Sequence, residues 1–220
     1  MRLLLIRHGQ TPANVDGVLD AAVPGPGLTP LGRQQAQALP GALADEGIDR
    51  IYVSTMRRTG LTAAPLAAEL AIEPVVLAGL REVEAGDLQG RSDADAMNEF
   101  IAVLFAWSAG DLDPRVPGAS DGHEFFARYD DAIERIAHGA GPGASAALSH
   151  AAAIRTWCSR RVGNADLGEP DFFRLDNTGV VVLEGDPAEG WRLVSWAGRP
   201  VGGPELEDQA AADPTGRVGG

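Results

Sequence analysis

The sequence has one cysteine, too few cations for its acids and no long apolar run, and each shortage removes a class of protein. Cys158 stands alone among 220 residues, so no intrachain disulfide can form, which suits a reducing compartment. A lone cysteine in an apolar helical stretch is expected to be a small core residue rather than a nucleophile. Eighteen basic residues face 31 acidic ones, for a formal net charge of −13. A nucleic acid or an anionic membrane surface needs a broad basic face, so neither is expected as a partner. An anionic ligand would be repelled by the global field and must be captured by a local group of cations. No apolar run is long enough to span a bilayer. The opening LLLI is too short for the apolar core of a signal peptide and runs straight into Arg and His. These features predict a cytoplasmic protein.

What is present is an ordinary globular composition, 45% hydrophobic, with no internal repeat and no linker that splits the chain. The apolar run RLLLIR (2–7) predicts a buried strand. In LTPLGRQQAQALPGALADEG, Thr29 suits a helix cap, Pro30 the first helical position and Gly47 the stop, with a bend expected at Pro40. RIYVS (50–54) predicts a second strand, 56–70 a helix and EPVVL (73–77) a third strand. Helices are expected at 92–108 and 121–138, the second opened by a capping box of Asp121 and Glu124. A strand at 144–149 and a helix at 151–162 follow, then a hairpin whose strands meet at DPAEG. The segment from Arg199 to 220 is Gly, Pro, Ala and acid, and predicts an extended surface tail. Alternating strands and helices imply an α/β fold, a three-layer αβα sandwich with a mostly parallel sheet. The domain is expected over 1–198.

The chemistry concentrates where strands end. The first strand ends Arg7-His8-Gly9, the second Ser54-Thr55-Met56-Arg57, the fourth Ser149-His150. In open α/β sheets ligands bind beyond the carboxyl ends of the strands. Arg7, His8, Arg57 and His150 would then converge on a pocket for a doubly charged anion, with phosphate the natural match for guanidinium forks. Helix N-termini after Ser54 and His150 would add backbone N–H donors. LREVEAGDLQG brings Glu82, Glu84 and Asp87 close together in sequence, as either a solvated loop or an acid/base site. No stretch has metal-ligand spacing, so no metal and no cofactor is expected.

Five stretches together resemble the histidine phosphatase superfamily, the phosphoglycerate-mutase-like fold. LIRHGQTPAN resembles its R-H-G-x-T-x-x-N opening and LTPLGRQQAQAL its L-T-x-x-G-x-x-Q-A helix. VSTMRRTGLTA resembles S-x-x-x-R-x-x-x-T-A, LREVEAGDLQG resembles L-x-E-x-x-x-G-x-x-x-G, and ALSHAAAIR resembles S-H-G-x-x-I-R. They run in order from residue 3 to 155. The resemblance implies that His8 is the nucleophile, that Arg7 and Arg57 clamp phosphate, that His150 is a second pocket histidine and that Glu82 is the proton donor. It also implies that Asn14 is a phosphate ligand and that Thr11 and Ser54 support the loop. The family usually has Gly after the second His, where this chain has Ala151. If Ala151 opens the helix normally, it narrows the pocket by a methyl group without changing the chemistry.

The expected reaction is metal-independent hydrolysis of a small phosphate monoester through a phosphohistidine. A neutral His8 would attack phosphorus, with its other ring nitrogen donating to a backbone carbonyl. Glu82 would protonate the leaving oxygen and then activate water, and a carboxyl facing a dianionic phosphate tends to hold its proton. The alternatives are phosphoglycerate-mutase-type transfer and a non-catalytic module that binds a phospho-ligand. A mutase needs extra cations for a substrate carboxylate. The loops VDGVLDAAVPGPG and VEAGDLQGRSDADAM supply only Arg91, which favours the phosphatase. Met97, Ile101, Leu104 and Phe105 share a helical face that Phe100, Val103 and Trp107 broaden. That helix either packs into the core or, as the resemblance implies, belongs to a helical cap inserted at about 88–125 that covers the pocket and selects an uncharged or apolar leaving group. A homodimer is left open.

Overall fold

A computed structural model describes residues 1–165 and 174–208. Its elements are β1 (Arg2–Arg7), α1 (Pro12–Val15), α2 (Pro30–Ala42), β2 (Ile48–Val53), α3 (Arg57–Leu70) and β3 (Val75–Val76). They continue with α4 (Ala94–Ala109), α5 (Gly122–His138), β4 (Ala144–Ser149), α6 (Ala151–Arg161), β5 (Val180–Asp186) and β6 (Gly190–Ala197). The strands form one sheet in the order β3-β2-β4-β1-β5-β6. The pairs β3·β2, β2·β4 and β4·β1 are parallel, and the β5–β6 hairpin adds antiparallel at one edge.

The alternation of side chains along a strand divides the core in two. Leu3 and Leu5 of β1 face a cluster built with α4, α5 and α6. Leu4 and Ile6 face the opposite cluster, with Leu39 of α2 and Ala63 and Leu66 of α3. Both faces of β1 and β4 are covered, which is why these strands read as unbroken apolar runs. The third strand is shorter than EPVVL suggests. Only Val75 and Val76 pair, at an exposed edge, while Leu77 turns into the core. Helix α2 continues through Pro40 and ends at Ala42, and the left-handed stop falls on Gly47 after a short 3-10 turn.

As far as Asp208, the segment beyond Arg199 does not extend away from the domain. Leu206 is buried, and its carbonyl accepts from Gln35 Nε2 at 2.9 Å. Asp208 Oδ2 accepts from Gln10 Nε2 at 2.7 Å, and Gln35 Oε1 accepts the Gln10 backbone N–H at 2.8 Å. This short strap therefore supports the loop that follows β1. Composition hides it, because one leucine and a few hydrogen bonds hold it in place. The rest of the expected tail, 209–220, lies outside the described residues. Leu206→Ala is expected to lower the unfolding free energy by about 2 kcal/mol, read from urea midpoints. An unchanged midpoint would show that the strap contributes nothing.

Candidate active site

The register of the sheet makes the site. Arg7 pairs with Ser149 across β1 and β4, and Val53 of β2 lies beside Leu148 of β4. His8, Ser54 and His150 each follow one of these parallel strands, so they emerge together at the carboxyl edge. The His8 N–H donates to the Ser149 carbonyl at 3.1 Å, and the rings of His8 and His150 lie 5.1 Å apart between centroids. Gly9 is required at the next position. A side chain there would run into the backbone of Gly32, which in turn has no room beside Gln10.

His8 is buried, and its Nδ1 lies 2.7 Å from the Gly9 carbonyl. A carbonyl can only accept, so Nδ1 carries the proton of the neutral ring and the lone pair sits on Nε2. Arg7 is anchored by Nη1 donating to the Leu175 carbonyl at 2.6 Å. Asn14 Oδ1 accepts from the Thr11 N–H, the Thr11 hydroxyl and Asn177 Nδ2. With its oxygen committed to three donors, Asn14 offers a ligand its Nδ2 amide. The Asn177–Thr178 turn braces this loop from behind. Asn177 Nδ2 and the Thr178 N–H both donate to the His8 carbonyl, and Thr178 holds a left-handed φ of 59° to do so.

Glu82 is held across the opening of α6. Its Oε1 accepts from the backbone N–H of Ala153 at 2.7 Å and of Val83 at 2.9 Å, while Oε2 accepts from Ala152 at 3.3 Å. Two of the N–H donors at this helix N-terminus, those of Ala152 and Ala153, are therefore engaged by Glu82. Oε2, with the longer contact, is the more loosely held oxygen. Arg128 fixes the main chain beneath, donating to the carbonyls of Gly79, Arg81 and Glu82. Burial pushes the Arg128 guanidinium down to about 10. Glu84 turns away and accepts from the Ser120 N–H and hydroxyl.

One cleft is lined by Arg7, His8, Thr11, Asn14, Glu82 and Ala151, all expected at the site, and by Arg58 in place of Arg57. This is a correction. Arg57 is the first residue of α3, exposed, and lines a different surface groove with Arg33 and Leu61. The buried stripe of α3 is Arg58, Thr59, Thr62, Ala63, Leu66 and Ala67, so the inward position is 58. One residue around a helix turns a side chain by about 100°, enough to carry Arg57 off that stripe. The signal was available: S-x-x-x-R counted from Ser54 lands on Arg58. Ala151 opens α6 without a positive φ, so its methyl group only shapes the wall. Of the apolar helix, Met97, Phe100, Val103, Leu104 and Trp107 are buried, Phe105 is exposed, and Phe100 alone reaches the cleft. Core packing and pocket wall are thus both roles of α4.

His150 lies behind the cleft wall rather than in its lining, with no exposed surface. Arg58 Nε donates to its Nδ1 at 3.3 Å, so the proton sits on Nε2, 2.9 Å from Ser54 Oγ. Burial, then the positive charge of Arg58, pushes its pKa well below the ordinary histidine value. The unfolded chain binds a proton near pH 6.5 that the folded chain refuses, so this contribution to stability is present above 6.5 and is lost as pH falls. The expected slope is about 1.4 kcal/mol per pH unit below 6.5 for this one group. Urea midpoints measured at pH 7.5 and 5.5 should converge in His150→Gln. An equal acid sensitivity in that variant would assign the effect elsewhere.

An arginine-lined cleft at the carboxyl edge of an α/β sheet, with a buried histidine and a carboxylate facing it, holds groups able to pair with an anion and to move a proton. The chain matches the family model of the histidine phosphatase superfamily (branch 1) over residues 3–198, and it belongs to that family. It is 40% identical to a PE-PGRS family protein of Mycobacterium tuberculosis over 90% of this chain and 36% of that protein. It is 33% identical to an adenosylcobalamin/alpha-ribazole phosphatase of Escherichia coli over 62% of this chain and 66% of that one. The chain thus spans about a third of the first relative and just under two thirds of the second. Among solved structures, an alpha-ribazole phosphatase of Shigella flexneri superposes with a TM-score of 0.70 at 27% identity, covering 92% of this chain and 98% of that one. A mycobacterial glucosyl-3-phosphoglycerate phosphatase shares the fold at a TM-score of 0.72 and 24% identity, covering 89% and 98%.

Proposed function

We propose that this protein is a phosphatase that hydrolyses a small phosphate monoester through a phosphohistidine on His8, without a metal ion. The observation that carries the reading is His8 Nδ1 bonded to the Gly9 carbonyl in a cleft shared with Arg7, Arg58 and Glu82. The Nε2 lone pair attacks phosphorus as the P–O ester bond breaks. Arg7, Arg58 and the Asn14 amide hold the equatorial oxygens, where charge spreads in the transition state. Glu82 gives its proton to the leaving oxygen. It then takes one from the water that attacks the phosphorus of the phosphohistidine, and as the new P–O bond forms the P–N bond breaks with its electron pair returning to Nε2.

The cleft favours hydrolysis over mutase transfer. A mutase must also bind a carboxylate, yet among the described residues the only cations that line the cleft are Arg7 and Arg58. Arg91, the one basic residue of the neighbouring loops, is paired with Asp93 at the surface. Val18, Leu19, Ala21, Val83, Ala85 and Phe100 add apolar surface to the cleft lining, which suits an uncharged leaving group. Among the described residues no cluster of three His, Cys, Asp or Glu is arranged to hold a metal ion, and no helix is long and apolar enough to cross a membrane. A cytoplasmic site of action agrees with the single, fully buried Cys158.

The test is hydrolysis of p-nitrophenyl phosphate and a panel of metabolite monoesters after exhaustive chelation. Turnover should survive, and vanadate should inhibit it. Activity lost to the chelator and restored by Mg²⁺ would overturn the metal-free mechanism. Absence of turnover on every ester would leave a phospho-ligand binding module.

A further inference from the structure

A carboxylate, Asp20, stands in the cleft against the arginine that replaces Arg57. Its Oδ2 lies 3.2 Å from Arg58 Nη1, and its main-chain carbonyl accepts from Arg58 Nη2 at 2.9 Å. Both side chains are largely buried, at 3% and 12% exposure. Asp20 is not a mobile partner. Oδ1 accepts from Gln89 Nε2 at 3.0 Å and from the Ala22 N–H at 3.2 Å, and Gln89 Oε1 returns to the Ala21 N–H. The flanking backbone is tied across the cleft, with the Leu19 N–H on the Arg91 carbonyl and the Gly90 N–H on the Leu19 carbonyl. A phosphate on Arg58 therefore shares that guanidinium with a fixed anion. Asp20 lines the same cleft as His8, Arg7 and Glu82, beside the apolar residues Leu19, Ala21 and Phe100.

We propose that Asp20 sets substrate choice by the charge of the leaving group, rejecting esters with a carboxylate close to the phosphate and favouring neutral or aminated ones. The inference rests on the phosphatase reading of the site and deepens it. A substrate carboxylate would meet Asp20, whose own cation, Arg58, is already shared with the phosphate. The chain has no lysine at all, and among the described residues Arg7 and Arg58 are the cations of the cleft lining. In a cleft partly shielded from water, like charges repel more strongly than in solution. An ammonium group would be attracted by the same carboxylate. Rejection of this kind needs no new contact, only an unpaired like charge on the wrong ligand.

Three small esters separate these cases: phosphoethanolamine, glycerol 1-phosphate and 3-phosphoglycerate, whose leaving groups carry +1, 0 and −1. Wild-type kcat/KM should fall in that order. In Asp20→Asn, the 3-phosphoglycerate to glycerol 1-phosphate ratio should rise about tenfold, or about 1.4 kcal/mol, and the phosphoethanolamine advantage should shrink. Asp20→Ser, checked with Asp20→Asn for folding by circular dichroism, guards against one variant misfolding. The same ratios are read from dissociation constants by calorimetry. An inactive protein would thus sink the phosphatase reading while still deciding the role of Asp20. Ratios that stay at the wild-type values in both variants would overturn the proposal.

Discussion

His8→Ala should lose at least about 10³-fold in turnover of p-nitrophenyl phosphate, some 4 kcal/mol of transition-state stabilisation. The size follows from what the residue does. Without an imidazole there is no nucleophile to split the reaction into two displacements, and the remaining groups only position and polarise the ester. The replacement removes one ring from a wall of the cleft, and the main-chain bonds of residue 8 to Ser149 and Thr178 need no side chain. The fold should therefore persist, and circular dichroism should show it. Rapid acid-free quenching of wild-type enzyme with radiolabelled substrate should place phosphate on His8. A His8→Ala enzyme of normal activity, or label found elsewhere, would defeat the mechanism.

Adjacent arginines should behave as opposites. Arg58→Ala is expected to lower kcat/KM by about 10² to 10³, the usual loss for a preorganised donor to developing charge. It should also destabilise the fold by on the order of 3 kcal/mol, because Asp20 is left as a largely buried carboxylate without its cation. Arg58→Lys keeps the charge but not the fork, which here serves Asp20 Oδ2, the Asp20 carbonyl and His150 Nδ1 at once. It should recover part of the stability and little of the rate. Arg57→Ala should stay within about twofold on both measures, as an exposed side chain outside the cleft. Equal losses at 57 and 58 would mean that the cleft does not hold the substrate in this way.

Much of this protein was legible in the order of its residues. The buried strands read as apolar runs because both faces of β1 and β4 are covered. Caps at Thr29 and Asp121 read directly because their side chains bond to N–H groups three residues on. His8, Glu82 and Asn14 were legible because each belongs to a short motif whose spacing is set by one local turn. Arg58 was equally written there, in the inward stripe of α3, yet choosing between two neighbouring arginines needs a count around the helix rather than the residue type. The rest was decided by groups far apart in the chain. Asp20 meets Arg58 across 38 positions, Arg128 reaches back to the main chain of Glu82 across 46, and Asn177 braces His8 across 169. No local pattern marks such pairs, since an isolated Asp, Arg or Asn in a loop or helix has the same propensity whether it faces water or a buried partner. The setting of His150, expected in the pocket and found fully buried behind the cleft wall beside Arg58, has the same cause. Its position follows from strand register, but the partners of its two nitrogens depend on which side chains the folded sheet brings beside it.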